Sequence, residues 1–432
     1  MLSAEENQTL TRVGPGTPMG RLLRHYWFPV AGTGELPPGA TRRVRLLGED
    51  LVVFRTTAGV LGLVDEACPH RGASLARGEV DATGLRCPYH GWKFGTDGAC
   101  LEMPAEGDAS LRRRVPTARH HARELGGLVF AHIGTPAGGQ PPRLPRYELL
   151  VRDDLLRDIG RARLPCNWLQ IMENSVDPTH VEWLHGRHLA SVRAARGQST
   201  PGHYRRRHER IGFELFEHGI LKRRVIEGGS EQDDDWAVGH PLVFPVMLQV
   251  GAGPQRRFQI RVPEDDTTTR HWWYSTYAAP EGAPTPRQAP ADVPVYEVPW
   301  RDEQGGFIVD FVDGGDIMTW VTQGPVADRT REHLVPSDKG IALLRRLLFD
   351  QLARVQRGQD PLGVVRDPAR ADEVITLPQE RDKYRDGAGF LAESVALSHV
   401  RHSPLRAEIE ALLQARPRPP IAAAEGVDET RT

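Results

Sequence analysis

The residues in this chain best equipped for chemistry sit in two short stretches, Cys68-Pro69-His70-Arg71-Gly72 and Cys87-Pro88-Tyr89-His90-Gly91-Trp92. Together they offer two thiolates and two imidazoles in C-x-H and C-x-x-H spacing, with sixteen residues between His70 and Cys87. Two Cys with two His can hold a structural zinc. They can equally hold a two-iron, two-sulfur cluster in which one iron takes both Cys and the other both His. Spacing alone leaves both readings open.

A second constellation lies between Asn167 and about His188, a stretch that reads as helical and carries Asn174, Asp177, Pro178, His180 and His185. Five residues on a regular α-helix advance about 140° beyond a full turn, so His180 and His185 do not face the same way. For both to meet one ion, the helix must widen into a π-type bulge or end between them, and such breaks are enriched at functional sites. Pro178 helps supply one by removing a backbone donor. Asp177 shares the side of His180 and is placed to accept a hydrogen bond from its second ring nitrogen. As polar groups on a helix surface these residues need no metal. As ligands they are one short, because a 2-His-1-carboxylate triad with open positions marks an oxygen-activating non-haem Fe(II) site. Asp310, Asp313, Asp316 and Asp328 are available to complete it, and spacing does not choose among them.

The elements around these residues define an α+β chain. At 432 residues it is long enough for two ordinary domains with substantial cores. A formal net charge of −2 gives no global pull toward nucleic acid or anionic lipid. No apolar run is long enough to span a bilayer. The opening Met1-Leu2-Ser3-Ala4-Glu5-Glu6 is unlike a secretory or organellar leader, and the four cysteines make no disulfide framework. These features lead to the expectation of a cytoplasmic protein.

Ser3 with Glu6 forms a capping-box signature for a first helix, and Met19 to Trp27 carries apolar residues at helical spacing. From Arg42 the period falls to two, with a hairpin expected around Gly48-Glu49-Asp50 and further strands at Val60–Val64 and Leu128–Ile133. A linker composition follows at residues 135–142. Strand-like segments then run through Arg205–Arg224, Pro241–Gly251, Phe258–Val262 and His271–Ala278. A Pro-rich exposed loop covers 281–294, and amphipathic helices begin at Ser337 and Pro404. The expected division is an N-terminal helical segment (1–40), a β-rich cluster domain (41–140), a catalytic domain (141–415) and a disordered tail (416–432).

In this order the two constellations resemble the α subunits of Rieske non-haem iron oxygenases, the aromatic-ring-hydroxylating oxygenase family. The loops at Cys68 and Cys87 match its [2Fe-2S] motif. Asn174-x-x-Asp177-x-x-His180-x4-His185 matches its mononuclear iron motif, with the Asn–Asp step of phthalate dioxygenase-like and O-demethylase members. The segment from Asp316 through Gln323-Gly324-Pro325 to Leu334 is similar to a later stretch of phthalate-type members, as is the opening Gly14-Pro15-Gly16-Thr17-Pro18-Met19-Gly20-Arg21. The resemblance implies a β-rich Rieske domain beside a catalytic antiparallel sheet surrounded by helices. It implies a [2Fe-2S] cluster on Cys68, His70, Cys87 and His90, and Fe(II) on His180, His185 and Asp316. Asp177 becomes the residue that passes electrons between subunits, and Asn174 a catalytic neighbour of the iron. A homotrimer, O2 as co-substrate and an aromatic substrate (an aromatic acid or aryl ether) are also implied. No flavin, nicotinamide or plant-type ferredoxin motif occurs, so electrons must come from a separate NAD(P)H-dependent reductase of flavin and ferredoxin type.

The alternatives are a Rieske electron-transfer protein, a zinc protein and a ligand-binding relic with a decayed iron site. Other residues carry lesser expectations. Arg205, Arg206, Arg207, Arg257 and Arg261 offer carboxylate clamps. One ring of Trp272-Trp273 is expected to line the substrate cavity. His188, His240, His271 and His333 read as ordinary satisfied histidines.

Overall fold

A computed structural model describes residues 1–115, 119–135 and 139–414. The expected tail at 416–432 and residues 136–138 of the expected linker lie outside the described residues.

The Ser3–Glu6 capping box forms as expected and starts the helix Ala4–Thr11. The second helix is shorter than its apolar spacing suggested, Pro18–Leu23. The chain leaves it because Phe28–Gly32 is drawn into a sheet, pairing antiparallel with Leu128–Thr135. Arg119–Leu125 completes this three-stranded sheet.

The first hairpin joins Thr41–Leu46 to Glu49–Arg55 through Leu47 and Gly48, one residue earlier than expected. Both turn residues have positive φ, 50° and 81°, the geometry that matches the twist of paired strands. Leu47 tolerates it because the tip is anchored. Its N–H donates to Pro263 O at 2.9 Å, that of Gly48 donates to Glu264 O at 2.8 Å, and the Leu47 side chain is fully buried. The hairpin thereby ties the half that holds the cysteine loops to the strand Gln255–Asp265 of the large sheet. A four-stranded sheet of Glu79–Val80, Gly84–Arg86, Lys93–Gly95 and Cys100–Glu102 frames the second cysteine loop.

The second half is built on eight strands, in spatial order His208–Phe216, Gly219–Ile226, His240–Val243, Met247–Ala252, Gln255–Asp265, Thr268–Ala278, Leu155–Leu164 and Val295–Glu297. All neighbours are antiparallel except the last pair. Helix Lys339–Gln356 buries Leu344, Leu347, Leu348 and Leu352. Its Gly340 has no room for a Cβ, which would meet Val176 O at 2.5 Å, so this helix lies directly against the end of helix Trp168–Ser175. The loop 281–294 is pinned where Gln288 exchanges two hydrogen bonds with the Arg157 backbone.

Helix Trp168–Ser175, which leads into the stretch with Asp177, His180 and His185, is nearly all buried. An ion triad fixes it. Arg329 donates to both oxygens of Glu173 at 2.7–3.0 Å, and Arg345 adds a bond at 2.7 Å. Breaking a buried network of this kind strands a charge, at a cost of about 3–5 kcal/mol. Glu173→Ala is expected to lower unfolding stability by about that amount, read by denaturant titration. A loss below about 1 kcal/mol would show that the triad is not a major anchor.

Candidate active site

The two cysteine loops are built alike. The Cys68 N–H donates to Ala73 O at 2.8 Å and that of Gly72 to Cys68 O at 2.8 Å; the Cys87 N–H donates to Trp92 O at 2.7 Å and that of Gly91 to Cys87 O at 3.1 Å. Gly72 and Gly91 close the turns at φ 73° and 72°, a conformation that costs other residues about 1–2 kcal/mol. The repeat folds each Cys inward and each His outward. Cys68 and Cys87 are buried, while the His70 and His90 rings stand 4.4 Å apart at the outer edge. Trp92 stacks flat on His70 at 4.6 Å, and Tyr89 stays exposed beneath the Arg71 guanidinium.

Burial pushes the Cys68 thiol up to about 11, with adjacent Cys87 adding to it. Loading a metal here must therefore expel protons. Donors around a single zinc stand about 3.3–3.8 Å apart, from Zn–N and Zn–S bond lengths. Among the described residues, no three of the four loop ligands bring their donors within 4.8 Å of one another. That spread suits two irons rather than one ion. A different group, Glu49, Asp65 and His120, does cluster. Its members are already engaged: His120 contacts Asp65 at 3.1 Å and accepts the Gly134 N–H, and Glu49 pairs with Arg24.

At the second constellation the histidines converge by the first of the two expected routes, a π-helix, and not by a helix end between them. The α-helix stops at Ser175, before Pro178, and a π-helix runs Val181–His188. In an i→i+5 helix five residues make just over one turn. His180 and His185 thus face the same side, ring centroids 5.1 Å apart. Glu182 pins this helix by accepting from the backbone and ring of His208. Gly186 lets it approach Tyr204, whose carbonyl would meet a Cβ there at 2.5 Å.

A carboxylate reaches the histidine pair from helix Val312–Thr322. Asp316 Oδ1 lies 3.3 Å from His185 Nε2 and 3.8 Å from His180 Nε2. It is buried and accepts no hydrogen bond among the described residues, a cost that a cation between the three groups would remove. The other aspartates are spent elsewhere. Asp310 binds Arg196 and Arg401, Asp313 accepts from Trp273 Nε1 and the His399 backbone, and Asp328 caps Thr330. On the other side of His180, Asp177 Oδ2 stands 3.7 Å from Nδ1. Its Oδ1 accepts from Thr179 N and Oγ1, both at 2.7 Å.

Three family descriptions match the chain: Rieske [2Fe-2S] domain over residues 26–118, vanillate O-demethylase oxygenase C-terminal domain over 164–291, and LigXa C-terminal domain like over 302–379. The 5,5'-dehydrodivanillate O-demethylase oxygenase subunit of Sphingobium sp. (strain NBRC 103272 / SYK-6) is 41% identical over 409 residues, covering 93% of this chain and 92% of that protein. This chain belongs to the Rieske non-haem iron oxygenases. It is a terminal oxygenase component whose cofactors are a [2Fe-2S] cluster and a mononuclear iron. The phthalate 4,5-dioxygenase oxygenase subunit of Pseudomonas putida is 33% identical, covering 84% of this chain and 89% of that protein. The fold matches that of Pseudomonas putida CBB5 NdmA at a TM-score of 0.57 and 21% identity, over 78% of this chain and 92% of NdmA. The electron-transfer alternative accounts for only the first third of a chain whose similarity to oxygenase subunits runs almost throughout. Among the described residues no helix is long and apolar enough to cross a membrane.

Asn174, His180, His185 and Asp316 all border one cavity of this Rieske oxygenase. Several lesser expectations need correction there. Neither Trp272 nor Trp273 lines it, because their strand is covered on both faces and both rings are buried in separate cores. Of the five arginines, Arg257 alone reaches the cavity; Arg206 binds the Tyr384 carbonyl and Arg261 turns back onto Gln259. His240 is a wall residue, and His271 is buried between Trp273 and Trp320 with both ring nitrogens unpaired among the described residues. Sequence reasoning missed Lys222 and Arg224. Their signal was the run Lys222-Arg223-Arg224 between apolar residues of strand Gly219–Ile226, whose alternation puts Lys222 and Arg224 on one face.

Lys222 is buried, and its Nζ donates to Ser175 O at 2.9 Å. Burial first, then Arg224 and Lys383, push it down to about 7, against the opposing pull of Asp177 and Glu380. With the folded value below the ordinary 10.5, the unfolded chain binds more protons between about pH 7 and 10.5, so stability rises with pH across that window. Lys222→Met is expected to melt above the parent at pH 7 or below, with the difference closing toward pH 10. Thermal melts across pH check this, and an advantage that grew with pH would contradict it.

Proposed function

We propose that His180, His185 and Asp316 hold the mononuclear iron and that Cys68, His70, Cys87 and His90 hold the cluster. On this reading the chain hydroxylates or O-demethylates an aromatic acid or aryl ether. The observation that carries the proposal is the convergence of His180 Nε2 and His185 Nε2 on the orphaned Asp316 Oδ1 at the edge of a cavity. When bound, the iron supplies O2 activation with electrons stored by the cluster. The chain's own residues do the rest. Asp177 Oδ2, 3.7 Å from His180 Nδ1, stands on the side of the ring away from Asp316, leaving Nε2 for the metal. Asn174 faces the cavity beside it, and Tyr204, Leu248 and Phe390 supply apolar wall. The names of the relatives, an O-demethylase and a ring dioxygenase of aromatic acids, support the substrate class.

The same reading places the protein in the cytoplasm as a homotrimer fed by a separate NAD(P)H-dependent reductase of flavin and ferredoxin type. In it, 41–140 is the cluster domain and 141–415 the catalytic domain, with 1–40 as an N-terminal segment. His70 is exposed at the cluster edge, and Asp177 is 23% exposed on the side of His180 away from Asp316. A neighbouring subunit's cluster could thereby reach Asp177 from outside. The test is a panel of methoxylated and carboxylated arenes with a compatible reductase, scored by product mass. Gain of two oxygens with hydrogens means dihydroxylation, gain of one means hydroxylation, and loss of CH2 means O-demethylation. Absence of product across the panel, with iron and acid-labile sulfide present, would overturn the substrate class.

A further inference from the structure

One wall of the cavity holds more positive charge than the protein answers. Lys222 and Arg224 lie on one face of strand Gly219–Ile226, and both border the cavity. Arg224 Nε binds Asp235 at 2.7 Å, its NH1 reaches the Tyr384 hydroxyl at 3.2 Å, and its guanidinium stacks on the Tyr384 ring at 4.2 Å. Arg224 NH2, in contrast, is buried with no partner among the described residues, and the whole side chain is 3% exposed. Lys222 has three N–H donors and spends one on a neutral carbonyl, that of Ser175. The nearby carboxylates are committed. Asp235 serves Arg224, Glu380 serves Lys383, Asp313 serves Trp273 and His399, and Asp316 faces the histidine pair. His240, directly opposite Lys222 in the sheet, is held well below its usual range by burial, so it stays neutral and neither adds to this charge nor answers it.

Buried cations are normally paired, and a charge left without a counter-ion in low dielectric is costly. Here Lys222 and Arg224 border a cavity whose wall also holds Arg257 and Lys383, beside apolar Leu248 and Phe390. We propose that Lys222 and Arg224 seat a carboxylate carried by the substrate, so that the ring is held by its acid group on this wall and presented to the His180–His185–Asp316 side. Two donors on separate side chains suit the two oxygens of one carboxylate. The inference rests on the oxygenase reading for the position of the reacting carbon, but anion binding itself does not depend on turnover.

The test uses the metal-loaded enzyme without reductase, with benzoate, its neutral isostere benzamide and 4-nitrophenolate as calorimetric probes. Benzoate is expected to bind at least tenfold more tightly than benzamide. Lys222→Met should erase that preference while leaving benzamide affinity, iron content and the cluster spectrum unchanged; Lys222→Arg should restore most of it. Equal binding of benzoate and benzamide overturns the proposal, as does no benzoate binding at millimolar concentration. A parallel loss of both ligands in Lys222→Met would make the lysine merely structural. Preference for 4-nitrophenolate over benzoate would assign the seat to a phenolate instead and overturn the carboxylate. Because the wild-type comparison needs no variant, a folding failure of Lys222→Met leaves the test intact. Failure of the oxygenase reading would show separately, as absent product with benzoate still bound.

Discussion

His180→Ala is expected to remove the mononuclear iron and abolish turnover while leaving the visible spectrum of the cluster unchanged. The π-helix places His180 Nε2 and His185 Nε2 on the same carboxylate oxygen, so removing one imidazole leaves two ligands. Loss of groups that merely support a ligand lowers metal affinity or activity by about 10–100-fold, and loss of a ligand should exceed that. The cysteine loops belong to a different core and have no part in the change. Two measurements check it: iron per chain should fall by the mononuclear share, with acid-labile sulfide constant, and product formation should vanish. Retained oxygenation would remove His180 from the site. The same experiment on Asp316→Ala tests the carboxylate, and on Asp313→Ala the expected result differs. Asp313 holds Trp273 and the His399 backbone, so its loss should cost stability while some iron remains.

Asp177→Asn should retain both metals and interrupt electron delivery. The carboxylate is a poised group. Burial alone would raise it, but the His180 ring and the Thr179 donors outweigh that and hold it well below the usual carboxylate range. It is therefore an anion beside His180 Nδ1 at neutral pH. The amide keeps the shape and the Oδ1 contacts with Thr179 but removes the charge that orients the ring. Steady-state turnover should fall by about 100-fold or more, with iron and sulfide at wild-type levels. The discriminating measurement is a single turnover of pre-reduced enzyme. If product forms there at the normal rate and yield, Asp177 does not bridge the two centres. The folded value lies below the ordinary one, so any stabilisation from this carboxylate is present above about pH 4 and lost as pH falls through its depressed value. Acid sensitivity should be smaller in the Asn variant.

Local spacing made much of the site legible. C-x-H and C-x-x-H with a following glycine specify two matching turns because backbone hydrogen bonds within five or six residues close them. The five-residue step from His180 to His185 demanded an irregular helix, and the chain provides a π-helix there. The Ser3 capping box and the leucine stripe of Lys339–Gln356 were readable for the same reason: their partners lie within one or two helical turns. The second helix ended early because a distant strand claimed Phe28, which no local pattern records.

What the sequence determined by itself was therefore the ligand chemistry and the local geometry that presents it. Spacing left four aspartates open and the resemblance pointed to Asp316; tertiary structure is what brings that carboxylate to the histidine pair. Asp310, Asp313 and Asp316 share one segment, and only the packing of that helix against the π-helix turns Asp316 toward the histidines. It also decided that both Trp272 and Trp273 are core, since alternation assigns faces but not what covers them. And it turned Lys222 and Arg224 inward, because a strand buried on both sides must take its charges with it. Chemistry that depends on neighbours along the chain is written in spacing; chemistry that depends on which surfaces meet is written only in the packed fold.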